Sequence, residues 1–105
     1  MKCVFWNIRG LANNPSRLAL KKLINSNKPD LCFIAEPWME VSKLSARWLS
    51  RLNLKNFCVN IRDNLQPNLW CLCSTTLNPS LIFVDDQHIS LKVEVDGKTF
   101  GISAI

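Results

Sequence analysis

A chain of 105 residues, 48% of them apolar and only eight of them Gly or Pro, suits one packed domain and excludes a disordered segment. Thirteen Lys and Arg against eight Asp and Glu leave a net charge of +5 and a pI near 9.2, a balance that favours polyanionic partners but names no chemistry. No apolar stretch approaches the roughly 20 residues of a membrane span, and the opening residues lack the pattern of a secretory leader; an intracellular protein, nuclear or cytoplasmic and not secreted, is expected, with no membrane partner and no small-molecule cofactor.

Residues 2–8 are an apolar run of strand-forming types that ends at Asn7-Ile8. Arg9-Gly10-Leu11 and Asn13-Asn14-Pro15 then form a loop, with Asn14 as helix cap and Pro15 at the first helical position. The helix is expected to run to about residue 26, with Leu20, Leu23 and Ile24 on its buried side and Arg17 and Lys21 facing out. Residues 30–36 form a second strand, as continuously apolar as the first. Unbroken apolarity implies strands covered on both faces, so strand, helix and strand make a βαβ unit with two parallel neighbours.

Residues 41–52 carry an apolar stripe of Val41, Leu44, Trp48 and Leu52 and a basic one of Lys43, Arg47, Arg51 and Lys55, the pattern of a second helix. The basic ribbon is either a track for nucleic-acid phosphates or, more simply, a solvated helix face. Trp38 and Trp48 are suited to stacking on bases, but packing is the simpler expectation. From residue 56 on the pattern is all strand: 57–61, 69–74, 80–84, 88–95 and 98–105, with Asp96-Gly97 as a two-residue hairpin turn. The last run stays apolar to Ile105, so the sheet is expected to continue past it in a longer parent.

The five cysteines, Cys3, Cys32, Cys58, Cys71 and Cys73, lie mostly inside apolar runs and are expected as reduced, buried thiols. Cys71 and Cys73 share one strand face, which is poor geometry for a mutual disulfide.

Two polar residues stand out. Asn7 closes the first strand and Glu36 the second, so a parallel βαβ pair sets both at the carboxyl edge where open α/β sheets bind ligands. A carboxylate and an amide oxygen suit Mg²⁺ better than zinc. The competing reading makes Asn7 a loop cap and Glu36 half of a surface ion pair.

Phe5-Trp6-Asn7-Ile8-Arg9-Gly10-Leu11, then Lys28-Pro29-Asp30-Leu31, then Ala35-Glu36-Pro37-Trp38 together resemble the endonuclease/exonuclease/phosphatase superfamily. Within it, the chain is most similar to the N-terminal endonuclease of plant LINE-type (non-LTR) retrotransposon polyproteins, whose domain accompanies a reverse transcriptase. The resemblance is sharp over residues 1–39 and weaker over 56–105. It implies a fold of α/β class, α+β sandwich type: two β-sheets flanked by helices, of which this chain would hold roughly the first sheet, one βαβ unit followed by a mostly antiparallel meander. It implies Mg²⁺-dependent phosphodiester hydrolysis on DNA, with Glu36 binding the metal directly and Asn7 helping to hold metal and scissile phosphate. Arg9 takes no ligand role and is left as a phosphate contact. Lys43, Arg47 and Arg51 are further candidate nucleic-acid contacts.

The family completes its site with an Asp-x-Asn element and a terminal Asp-His pair, and neither occurs in these residues. Asp85 and Asp86 are adjacent and in a strand would point to opposite faces, a poor metal pair, and His88 is expected at the surface of a turn. The chain therefore reads as the N-terminal part of a DNA-nicking hydrolase, inactive alone and marginally stable, with a bare sheet face open to association. The alternatives are a non-catalytic remnant that binds nucleic acid weakly and a phosphatase acting on small phosphate esters; the Trp6–Leu11 and Glu36–Trp38 motifs argue against the second.

Overall fold

The computed structural model describes residues 1–105. Strand β1 (Cys3–Asn7) leads into a loop whose Asn13, not Asn14, caps helix α1 (Asn14–Asn27): Ser16 N donates to Asn13 Oδ1 at 2.8 Å. Pro15 sits in the first turn, where a missing N–H costs nothing. The helix stops at Lys28, whose left-handed backbone (φ 46°) lets its amide donate to Ile24 O, and Pro29 prevents continuation. The amides of Asp30 and Leu31 both donate to Lys2 O, which starts β2 (Leu31–Ala35) beside β1. The two strands are parallel from Cys3 opposite Leu31 to Asn7 opposite Ala35, as expected of the βαβ unit.

β1 is not covered on both faces. Its burial alternates and Phe5 remains 50% exposed, because the sheet order β1-β2-β4-β3 leaves β1 at an edge while β2 is flanked on both sides.

The expected second helix breaks in two. Val41–Lys43 form a single 3₁₀ turn, Leu44 is extended (φ −97°, ψ 105°), and α2 spans only Ala46–Ser50. Ser45 causes the restart, its Oγ accepting from Trp48 N at 3.1 Å as an N-cap. The apolar periodicity still marks burial correctly: Leu44, Leu49 and Leu52 are buried, with Val41 and Trp48 packed on them. The shorter helix also lets β3 begin early, at Leu54–Val59 rather than residue 57.

β4 (Leu69–Ser74) inserts antiparallel between β2 and β3, completing a four-stranded sheet. β5 (Ser80–Val84), β6 (Ile89–Val95) and β7 (Lys98–Ala104) form a separate three-stranded antiparallel sheet, with Asp96 and Gly97 both at positive φ in the β6–β7 hairpin. The chain is thus an α+β sandwich that holds strands of both sheets, not of the first alone. One core lies between the helices and the first sheet, around Leu20, Ile24, Ile34, Trp70 and Leu72. A second joins the sheets, with Leu31, Phe33 and Cys71 against Ile89, Leu91 and Val93. Each fully buried aliphatic side chain contributes roughly 1.5–3 kcal/mol. The expected bare face of the first sheet is therefore covered. What is left open is β5, exposed along most of its length, with Leu81, Ile82 and Phe83 all in water. No helix is long and apolar enough to cross a membrane.

Candidate functional site

The loops that leave β1 and β2 are stitched together. Ile8 N donates to Ala35 O (3.0 Å), Gly10 N to Glu36 O (2.8 Å) and Leu11 N to Pro37 O (2.9 Å). Arg9 (φ 50°), Gly10 (φ 111°), Glu36 (φ 53°) and Trp38 (φ 54°) all have left-handed backbones, four of the nine positive-φ residues in the chain. Three of them carry side chains, so this short stretch of sheet edge concentrates conformations that ordinary residues avoid. Gly10 is required for two reasons. Its φ disfavours any side chain, and a Cβ there would lie 3.0 Å from Trp38 Cε3. The indole of Trp38 thereby covers Gly10 while remaining 64% exposed, contrary to the expectation that it packs inward; Trp48 does pack against the helix-side core.

This edge brings Asn7, Arg9 and Glu36 together. Asn7 is exposed at the end of β1, opposite Ala35, on the face that also carries Phe5 and looks toward the second sheet. Glu36 is half-buried, and its amide donates to Asn68 O at 2.8 Å. The only ion pair in the chain joins His88 and Asp85, so the Glu36 carboxylate has no cationic partner and the surface ion-pair reading fails. Glu36 lines a cavity of about 300 Å³ with Ala35, Asn68, Asp86 and Gln87.

Asn60 and Asn68 were not singled out by the sequence pattern, and Asp86 was considered only as half of a poor metal pair with Asp85. Asn60 is the one buried polar residue, 1% exposed, and its amide is fully used. Asn60 Oδ1 accepts from the amides of Asn68 (2.9 Å) and Leu69 (3.0 Å), while Nδ2 donates to Asn68 Oδ1 (2.6 Å) and Asp86 O (3.0 Å). One side chain thus ties the β3–β4 connection to the turn after β5, and so positions two walls of the Glu36 cavity. The available signal was weak: Asn60 closes an apolar run much as Asn7 does.

Asp85 and Asp86 lie in the turn after β5, not in a strand. Asp85 Oδ1 accepts from the amides of Gln87 (2.9 Å) and His88 (2.8 Å), and these bonds hold its carboxyl below the usual range. His88 is half-buried rather than simply solvated. Its Nε2 hydrogen-bonds Ser90 Oγ at 2.9 Å, Ser90 Oγ hydrogen-bonds Ser103 Oγ at 2.7 Å, and the ring lies 5.0 Å from that of Phe83.

The basic ribbon is a correction. Lys43 lies in the 3₁₀ turn, Arg47 in α2, Arg51 just after it, and Lys55 in β3, where its Nζ donates to Asn78 Oδ1 at 3.3 Å. Lys43, Arg47 and Arg51 are exposed but occupy no common helical face, because Leu44 and Ser45 interrupt the helix. Arg17, expected to face solvent, is half-buried, with Nε donating to Leu11 O at 3.2 Å.

Glu36 and Asn7 offer hard oxygen donors, and Asp86, Asn68 and Gln87 around the Glu36 cavity are oxygen-bearing too, a set that fits Mg²⁺ rather than a soft metal. The chain does not gather three His, Cys, Asp or Glu side chains at one point. No protein-family model matches this chain, and no curated protein matches it either.

Proposed function

We propose that this chain carries the first ligating positions of a Mg²⁺-dependent phosphodiesterase site of the endonuclease/exonuclease/phosphatase type, in a domain that nicks DNA and derives from a LINE-type retroelement. The observation that carries the reading is the placing of Asn7, at the end of β1 opposite Ala35, and of unpaired Glu36, just past β2, at the carboxyl edge of a parallel pair whose following loops are hydrogen-bonded and left-handed. Backbone strain of this kind persists where surrounding structure enforces it, and it clusters at functional sites.

Bound there, Mg²⁺ supplies Lewis-acid stabilisation of charge on the phosphate and leaving oxygen. Glu36 contributes a carboxylate oxygen, and its half-burial strengthens attraction to a cation relative to open water. Asn7 contributes an amide oxygen to the cation, or its N–H₂ to a phosphate oxygen. Arg9 presents a guanidinium from the same loop, suited to a bidentate phosphate contact, and the exposed Trp38 indole offers a stacking surface for a base. The scattered Lys43, Arg47 and Arg51 add charge without register. His88 does not serve as a general acid for Glu36, since it is engaged with Ser90 and does not line the Glu36 cavity. That favours a second reading in which the chain binds metal and nucleic acid weakly and cleaves nothing.

Titration with Mn²⁺, a paramagnetic substitute for Mg²⁺, tests the site directly by NMR. Broadening is expected first at Asn7, Glu36 and the Asp86 turn, and Glu36→Gln should abolish it. Broadening centred on Asp63 or Asp85, or unchanged in Glu36→Gln, would sink the metal assignment. With Mg²⁺ and supercoiled plasmid, this chain alone is expected to produce no nicked circles. Nicking that disappears in Glu36→Ala would instead establish a working minimal nuclease.

A further inference from the structure

The proposed site uses none of the five thiols, yet two of them are placed together. β3 and β4 pair antiparallel, and immediately past the bulge between Asn56 and Cys58 the register sets Cys58 directly opposite Cys71. Both side chains belong to the face that meets the second sheet, Cys71 as a buried member of that core and Cys58 packed at its margin. Directly opposed residues on antiparallel strands have Cα atoms about 4.5–5.5 Å apart. That lies inside the roughly 4.4–6.8 Å span of a disulfide.

The two thiols differ in ways that suit a sequential reaction. Cys58 is half-exposed on the edge strand β3, within reach of a small molecule, whereas Cys71 is fully buried on the internal strand β4. The neighbouring Cys71 thiol holds the Cys58 pKa below that of a free thiol. The Cys58 neighbour, with burial, pushes Cys71 up. A partly accessible thiol with a lowered pKa beside a second thiol is the arrangement that exchanges with disulfides. The other cysteines lack a partner in register. Cys73 faces Lys55 across the ladder, Cys3 stands alone and exposed on β1, and Cys32 lies in the helix-side core with its thiol pushed up to about 12 by burial.

We propose that Cys58 and Cys71 are a reversible dithiol–disulfide couple that reacts with small-molecule disulfides, Cys58 as the attacking thiol and Cys71 as the resolving one. In the first step the Cys58 thiolate attacks one sulfur of the small disulfide, breaking its S–S bond, forming a mixed disulfide and releasing one thiolate. That thiolate takes up a proton. Cys71 then gives up its proton and attacks Cys58 Sγ, closing the cross-strand disulfide and expelling the second small thiol. The protein loses two electrons and two protons, and the small disulfide gains both as two thiols. The closed bond pins β3 to β4 at the bulge, on the strands that lead into the Asn60–Asn68 connection beneath Glu36.

Glutathione disulfide is the probe. Reduced full-length chain should lose two hydrogens per molecule without dimerising, and dithiothreitol should restore them. Tryptic digestion without reductant should join the peptide between Lys55 and Arg62, which holds Cys58, to the peptide from Asp63 to Lys92. Cys73→Ser should leave that link intact, and Cys71→Ser should stop the reaction at a glutathione adduct on Cys58. Cys3→Ser, which touches neither partner, keeps the test readable should a core substitution fail to fold, because it must show the same two-hydrogen loss. A product limited to Cys3 adducts or Cys3-linked dimers, or a link that survives Cys71→Ser, would overturn the proposal. It is independent of metal binding, so failure of the Mn²⁺ test leaves it standing.

Discussion

Asn60 shows how much one buried amide can hold. Its four side-chain hydrogen bonds replace water for two backbone amides, one side chain and one backbone carbonyl in a site that is 1% exposed. Asn60→Ala leaves the amides of Asn68 and Leu69 without that acceptor, and the expected loss is about 3 kcal/mol in urea or thermal unfolding. Asn60→Asp should be no milder, because a carboxylate accepts from those amides but cannot donate to Asn68 Oδ1 and Asp86 O. A loss within the ordinary range of surface substitutions for both variants would mean that water takes over the role. Asp85 gives the pH counterpart. Its folded carboxyl pKa lies below the ordinary 3.8, so its contribution is present above that value and is lost as pH falls through the folded one. In acid titrations followed by circular dichroism, Asp85→Asn should flatten the stability slope below pH ~4 by at most one proton and slightly lower stability at neutral pH, where the carboxylate's contribution is present. An unaltered slope would show that the turn forms without the carboxylate. Neither residue was legible as important from sequence. Each acts through partners that are brought near by strand pairing, whereas Asn7 and Glu36 were legible because each ends its own apolar run.

Among the elements, long periodic segments were readable and their interruptions were not. The apolar stripe at Leu44, Trp48 and Leu52 is real, yet Ser45 prefers to cap a new helix rather than continue an old one. The consequence reaches function, since a basic ribbon on one helix becomes separate charges on a turn, a short helix and a strand. β4 and β5 make the opposite contrast. Both read as apolar strands, but β4 is buried along nearly its whole length in the middle of a sheet and β5 is exposed at an edge with a bulge between Leu81 and Phe83. Amide hydrogen exchange should therefore find Ile82 and its β5 neighbours opening far more readily than Trp70 to Leu72 in β4. Equal protection of the two strands would show that β5 is held by contacts beyond its pairing with β6.

On the scale of the whole molecule, two cores share the first sheet as their common wall. Helices close one face and β5–β7 the other, so the expectation of a bare first sheet does not carry over to this arrangement. The places left open are edges: β1 with Phe5, and β5 with Leu81, Ile82 and Phe83. The candidate site lies where the loops after β1 and β2 meet the connection after β3 and the turn after β5, so that four separate segments contribute to it. Net charge and composition bear only on the class of partner that the surface would favour.

Local chemistry was enough to establish the βαβ start, the capped first helix up to one residue at its cap, the hairpin at Asp96-Gly97 and the placing of Asn7 and Glu36 at one sheet edge. These follow from apolar periodicity, cap and turn residues and the parallel pairing of neighbouring strands, all of which act within a few residues or one crossover. Tertiary structure alone decided that β4 lies between β2 and β3, that a second sheet covers the first, that Asn60 ties Asn68 to Asp86, and that Cys58 faces Cys71. Those outcomes depend on which strands pair and in what register, and pairing energy belongs to contacts between residues far apart in the chain, which no local pattern encodes.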